Sequence, residues 1–286
     1  MQKKSMLIIV FVLVGLIGSA AFALDPMGPP KAGLQKGKFG LGAEYSHTRM
    51  TITMHGHESE TIYEWTVPFS QTSRKVAKFK VKLDIDKVYG YIGYGLADDW
   101  EIFVRLGGMN ADWSERLFPI ASTASARDYH GDTGFAYGFG TKKTFYSKDK
   151  LEIGALFQIS WAESSARFHG TRDGLTVLET AKLKLMEMQI AVGPTYHLTE
   201  KVAIYGGPFW HYAKLGSSDI SSSRYEGDPS EEFYKVTKSS YDVDNLSHFG
   251  LYIGSEVKLT KSAFYCIEYQ HTPSADALAM NLIWKF

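Results

Sequence analysis

Two acidic motifs in this sequence have spacings that suit water activation. Asp84-Ile85-Asp86 sets two carboxylates two positions apart, which on a strand places both on one face, where they could position a water for attack. Asp128-Tyr129-His130 sets a carboxylate close to an imidazole that could serve as a general base. His55-Gly56-His57 offers two imidazoles to a metal, and His57-Glu58-Ser59 brings a hydroxyl close to one of them. Two imidazoles with no third ligand at a fitting distance read as a solvated polar segment, so no metal is expected, and no spacing asks for a cofactor. The one cysteine, Cys266, reads as packing against Glu268 rather than as a nucleophile.

The elements that would position such groups can be read from period and punctuation. The chain opens with Lys3 and Lys4, an apolar run from Met6 to Ile17, and the small residues Ala21 and Ala23 around Phe22. That is the pattern of a secretory signal peptide spanning 1–23, cleaved after Ala23. No Cys follows to carry a lipid anchor. The 31 basic and 31 acidic residues balance, and loss of Lys3 and Lys4 leaves a net charge of about −2, which gives nucleic acid no electrostatic hold. An exported chain with a single cysteine fits a bacterial envelope better than a disulfide-rich secretory pathway. Beyond the signal, no apolar run reaches the length of a membrane-spanning helix. Aromatic residues at 14% and frequent glycine point to β structure.

Residues 24–36, rich in Pro and Gly, read as an extended periplasmic leader. From Phe39 the chain alternates apolar and polar positions in hairpin modules. "KFKVKLDID" runs on through "VYGYIGYGL", turns at Asp98-Asp99 and returns as Trp100, Ile102, Val104 and Leu106. Similar hairpins turn near Ser147–Lys150, at Thr199-Glu200 and at Thr260-Lys261. About ten strands result: 37–47, 77–96, 100–112, 132–145, 151–163, 182–198, 201–213, 247–259, 262–271 and 276–286. Long connections near 48–75, 113–130, 164–181 and 214–245 alternate with short ones. The segment "MTITMHGHESETIYEWTVPF" leaves a count of eight or twelve open, since it could add a hairpin or extend two strands.

One face of these strands carries Phe39, Leu41, Ile102, Val104, Phe135, Phe139, Ile153, Phe157, Ile190, Val192, Leu251, Ile253, Ile267 and Leu282. The other carries Glu44, Glu101, Arg105, Lys142, Glu152, Glu187, Glu256, Lys258 and Glu268, with many glycines between them. A lipocalin-like barrel or a sandwich would turn the apolar face inward. Glycine on the polar face, aromatic residues such as Trp100, Trp161, Trp210 and Trp284 near strand ends, and alternating connection lengths fit the opposite arrangement. The expected fold is therefore all-β: an antiparallel transmembrane up-and-down barrel over 37–286. In so narrow a barrel the inward charges should pair into a network. Asp84 and Asp86 then read as a lumen-facing acidic pair beside Lys80 and Lys82.

The last strand carries Leu278, Met280, Leu282, Trp284 and Phe286 at alternate positions. It resembles the C-terminal signal of Gram-negative outer-membrane proteins, which implies a bacterial outer-membrane location, contact with outer-membrane lipid, and recognition by the barrel-assembly machinery. Ten-stranded barrels of that class include the omptin proteases, whose aspartate pair faces an Asp-x-His dyad across the mouth. Asp84-Ile85-Asp86 and Asp128-Tyr129-His130 resemble those two halves, but the second lies in an early loop rather than late in the chain. His57-Glu58-Ser59 is similar to the His-x-Ser pair of lipid A deacylases, but sits in the first long loop instead of on a late strand. The expected role is non-enzymatic: structural, or interaction through the extracellular loops with an external ligand or partner. A narrow channel or ligand-binding barrel is the alternative, with acids favouring cations, and an omptin-like hydrolase is third.

Overall fold

Residues alternating in polarity at period two commit the chain to strands, and a computed structural model shows what the strands build. It describes residues 24–64, 67–114, 131–172, 175–214, 220–226, 233–243 and 246–286. Asp128-Tyr129-His130 and the signal segment fall outside these residues. The strands are β1 (Phe39–Glu64), β2 (Val67–Ala97), β3 (Trp100–Ser114), β4 (Asp132–Lys148), β5 (Leu151–Arg172), β6 (Leu175–His197), β7 (Val202–Lys214), β8 (Ile220–Glu226), β9 (Phe233–Val243), β10 (Leu246–Lys258), β11 (Ala263–His271) and β12 (Ala275–Lys285).

Ten of them close an antiparallel barrel: β1 to β7 in order, then β10, β11 and β12, with β12 sealed to β1 from Gly40↔Lys285 to Met50↔Ala275. The tight turns at one end are built by side chains that replace backbone partners. Thr199 Oγ1 accepts from the Lys201 and Val202 amides at 3.1 and 3.0 Å, and Thr260 Oγ1 accepts from Ser262 and Ala263 at 3.2 and 2.9 Å. Asp149 takes the left-handed conformation, φ 53°, that its short polar side chain tolerates.

The remaining two strands sit above the barrel. The lower half of β1 pairs with β12, while its upper half, Met54–Glu64, pairs with β9. The upper part of β6, Val177–Leu183, pairs likewise with β8. The β8–β9 hairpin thus bridges the gap left by the short β11–β12 turn. Much of what the sequence suggested as long loops at 48–75, 164–181 and 214–245 is instead strand, built from Thr, Ile, Val and Tyr with polar partners. "MTITMHGHESETIYEWTVPF" extends two strands and adds no stave to the barrel.

The apolar face points outward. Phe39, Leu41, Ile92, Ile102, Val104, Phe139, Val192, Leu251 and Ile253 are all exposed on the outer wall. On β2 the outward apolar run from Val88 to Leu96 covers about 26 Å at ~3.3 Å per residue, close to a hydrocarbon core crossed by a tilted strand. The closing strand turns Leu278, Met280, Leu282, Trp284 and Phe286 to this same side.

Candidate functional site: a two-tier lumen

Polarity on the inward face changes with height. Toward the short turns it is charged, with Glu44, Lys87, Glu101, Arg105, Lys142, Glu187 and Glu268 all buried. Toward the other end the same face is apolar. Met50, Ile52, Leu83, Ile85, Met109, Leu183 and Leu185 are nearly or wholly solvent-free and pack as one cluster. The outer face changes in the opposite sense at the same level. Asp84 and Asp86 are therefore on the outside, a correction to their expected place in the lumen. Asp84 binds Arg49 at 2.6 Å, and Asp86 accepts from Tyr45 at 2.6 Å and lies 2.7 Å from His47. The parity that brings Leu83 and Ile85 inside also brings in Lys87, which followed the apolar run and was missed for that reason. An aspartate pair on the outer wall cannot face a dyad across the mouth. His57-Glu58-Ser59 lies on the upper part of β1.

The charged tier is filled by the leader. Residues 24–36, expected to extend into the periplasm, turn back into the barrel and end with Leu24 fully buried against the apolar tier. Asp25 is buried between two cations of the wall. Its Oδ1 lies 2.9 Å from Lys87 Nζ and its Oδ2 lies 3.1 Å from Arg105 Nη2. Burial alone would raise its carboxyl, but Lys87 and then Arg105 outweigh burial and hold it well below the usual carboxylate range. Lys87 also pairs with Glu187, which meets His211 Nε2 at 3.2 Å, and Arg105 reaches Glu44 at 3.4 Å and lies over the Tyr89 ring.

Backbone amides of the leader are satisfied by wall carboxylates. Met27 and Gly28 donate to Glu268 at 2.6 and 2.9 Å; Gly33 and Leu34 donate to Glu101 at 2.7 and 3.0 Å. The Asp25 carbonyl accepts from Gln270 at 2.9 Å, and Lys31 binds Glu152 at 2.5 Å. Glycine lets the leader lie flat on the wall: a side chain at Gly154 would collide with the Pro30 carbonyl, and one at Gly95 with that of Gln35.

The sequence placed nine charges on the inward face. The structure brings Glu44 to Arg105 directly, and sets Glu101, Glu152 and Glu268 on the leader. Lys142 is buried near Phe103, while Glu256 and Lys258 line the lower mouth with Lys31, His197 and Lys285 around a cavity of about 290 Å³. Gln158 and Gln189 lie on this inward face as their spacing implies, whereas Asp25, Lys87, His211 and Gln270 were not anticipated. The signal available for Lys87 was its even spacing from Tyr89 and Tyr91; nothing local marks Asp25. Cys266 is buried on the lumen side, and among the described residues no cluster could hold a metal ion.

No family model and no curated protein matches the sequence. Solved structures with a similar fold include the outer membrane protease OmpT from Escherichia coli, at 14% identity and TM-score 0.39 over 86% of this chain and 97% of that one. The translocator domain of the autotransporter NalP from Neisseria meningitidis has 10% identity and TM-score 0.41, over 89% and 90%. The outer membrane protein OprG from Pseudomonas aeruginosa has 12% identity and TM-score 0.37, over 89% and 98%. Across such distances no activity passes to this chain, a closed ten-stranded antiparallel barrel with an apolar outer belt.

Proposed function

We propose that this protein is a bacterial outer-membrane barrel that performs no chemistry of its own and holds a stiff extracellular sheet for surface interaction. One observation carries the reading: the lumen is filled at two levels, by the ion-paired leader below and by the Met50–Leu83–Ile85–Leu183 cluster above. A filled lumen leaves the upper parts of β1, β2, β5 and β6, with the β8–β9 hairpin, as what the chain offers to the medium. Assembly in this reading uses the last strand, whose Phe286 amide donates to the Phe39 carbonyl at 2.8 Å across the closing seam.

The test is conductance in a planar bilayer together with outer-membrane fractionation. The expected result is a protein in the outer-membrane fraction that gives no discrete steps. Regular steps from the unaltered protein would instead support a narrow channel, the second reading, in which the leader moves aside. That reading draws on the leader being held without covalent bonds and bordered by the cavity at the lower mouth.

A further inference from the structure

The rim of the outer wall at its extracellular edge is not the same all round. On β1 and β2 the cations Arg49 and His47 are matched by Asp84 and Asp86, and on β11 and β12 His271 is matched by Asp276. On β6 and β7 the exposed Lys182, Lys184 and Lys214 have two acids in their rows: Glu163, the cross-strand neighbour of Lys184, and Asp132, two strands from Lys182 across Ser165. Among the described residues no ion pair joins these lysines to any carboxylate.

Below Lys184, and in the same row as Lys214, lies a wall of rings. Phe135 stacks on Tyr137 at 5.6 Å between centroids, and Tyr137 stacks on Trp161 at 5.4 Å and 20°. The register continues the row, Tyr137↔Trp161↔Met186↔Lys214. A shift in the β4–β5 register between Thr133 and Ala136 reshapes the wall here. Gly134 makes it feasible, because any side chain there would strike the Glu163 carbonyl. The result is a groove of about 550 Å³, with Phe135, Tyr137, Trp161 and Met186 as its apolar part and Glu163, Lys184 and Lys214 as its polar rim.

An apolar groove in the lipid belt, ending at the headgroup level in lysines that no ion pair holds among the described residues, is complementary to a lipid with a phosphate on a sugar head. We propose that this groove seats one molecule of lipid A from the outer leaflet. An acyl chain lies along the Phe135–Tyr137–Trp161 stack, and a phosphate sits between Lys184 and Lys214 as a charge-assisted partner. Glu163 accepts from hydroxyl or amide donors of the sugar, which gives the acid that lines the groove a use that a diacyl phosphate alone does not. Met186, unbranched and adaptable, fits its flank to the chain. The inference rests on the outer-membrane reading above.

The test is native mass spectrometry of the purified barrel in detergent, titrated separately with bisphosphorylated lipid A, dephosphorylated lipid A and phosphatidylglycerol. Unaltered protein is compared with Lys184→Ala/Lys214→Ala and with Lys143→Ala, an exposed lysine at the opposite edge, and a boiling-dependent gel shift reports that each is folded. The expected result is retention of bisphosphorylated lipid A above both other lipids, weakened on the order of tenfold in the double variant and unchanged in Lys143→Ala. Equal retention by the double variant, or phosphatidylglycerol held as well as lipid A, would overturn the site. A protein found outside the outer-membrane fraction would instead sink the reading on which the site rests.

Discussion

Asp25, from a segment that belongs to no strand, lies 2.9 Å from Lys87 in the barrel wall, and both are sealed from solvent. A buried ammonium is costly to leave unpaired, so this contact ties the leader to the wall. Removing one partner of such a pair costs about 3–5 kcal/mol. Asp25→Ala should therefore lower the temperature at which the barrel loses its compact mobility on a detergent gel. Lys87→Met in the same background should cost less than the sum of the two single changes, because the Asp25–Lys87 contact can be lost only once. Additive losses would mean that the contact contributes nothing of its own.

The two tiers predict a conditional pore. Fusing the export signal directly to residue 37 removes the leader, yet the apolar cluster remains above it. Cutting Met50, Leu83, Ile85 and Leu183 to alanine opens that cluster but leaves the leader in place. Each change alone should give little or no conductance in a planar bilayer, and the two together should give steps with cation preference from the six inward glutamates of the wall. Full conductance on leader removal alone would show that the upper tier does not seal.

Acid should leave the leader docked. Asp25 titrates lower in the folded chain than in the unfolded one. Its stabilisation is therefore complete above the ordinary carboxylate value of ~4 and is lost only as pH falls through the folded value. The difference in melting temperature between the unaltered protein and Asp25→Asn should stay constant from about pH 7 to 5 and shrink only in stronger acid. A difference that vanishes by pH 5 would contradict the pairing.

Deleting Phe286 removes one seam hydrogen bond and an exposed aromatic from the belt. The loss in intrinsic stability should be small, about 0.5–1.5 kcal/mol for the bond. The folded fraction recovered from cells should fall far more, while refolding of the purified chain in detergent is little changed. Equal effects in both settings would argue against the last residue acting as an assembly signal.

The outer pair Arg49–Asp84 is half-exposed, so Asp84→Ala should cost under about 1 kcal/mol. Peptide substrates should be left intact by the unaltered protein and by Asp84→Ala and His130→Ala alike. Cleavage lost in either variant would revive the hydrolase.

Period two along Phe39–Tyr45, Trp100–Leu106 and Leu278–Phe286 is a local property, and it was enough to determine strands, hairpins and the apolar face that the barrel turns outward. The same period misassigned Asp84 and Asp86, because the polarity of each face reverses part of the way up the wall, and height along the barrel is not written in spacing. Residues 24–36 show no period at all. Their place is decided by closure, which brings Lys87, Arg105, Glu101 and Glu268 from distant strands around one interior too narrow to hold water and charge together. Pairing across that interior is a tertiary matter: Asp25 acquires its meaning only when residues 62 and 80 positions away converge on its carboxylate.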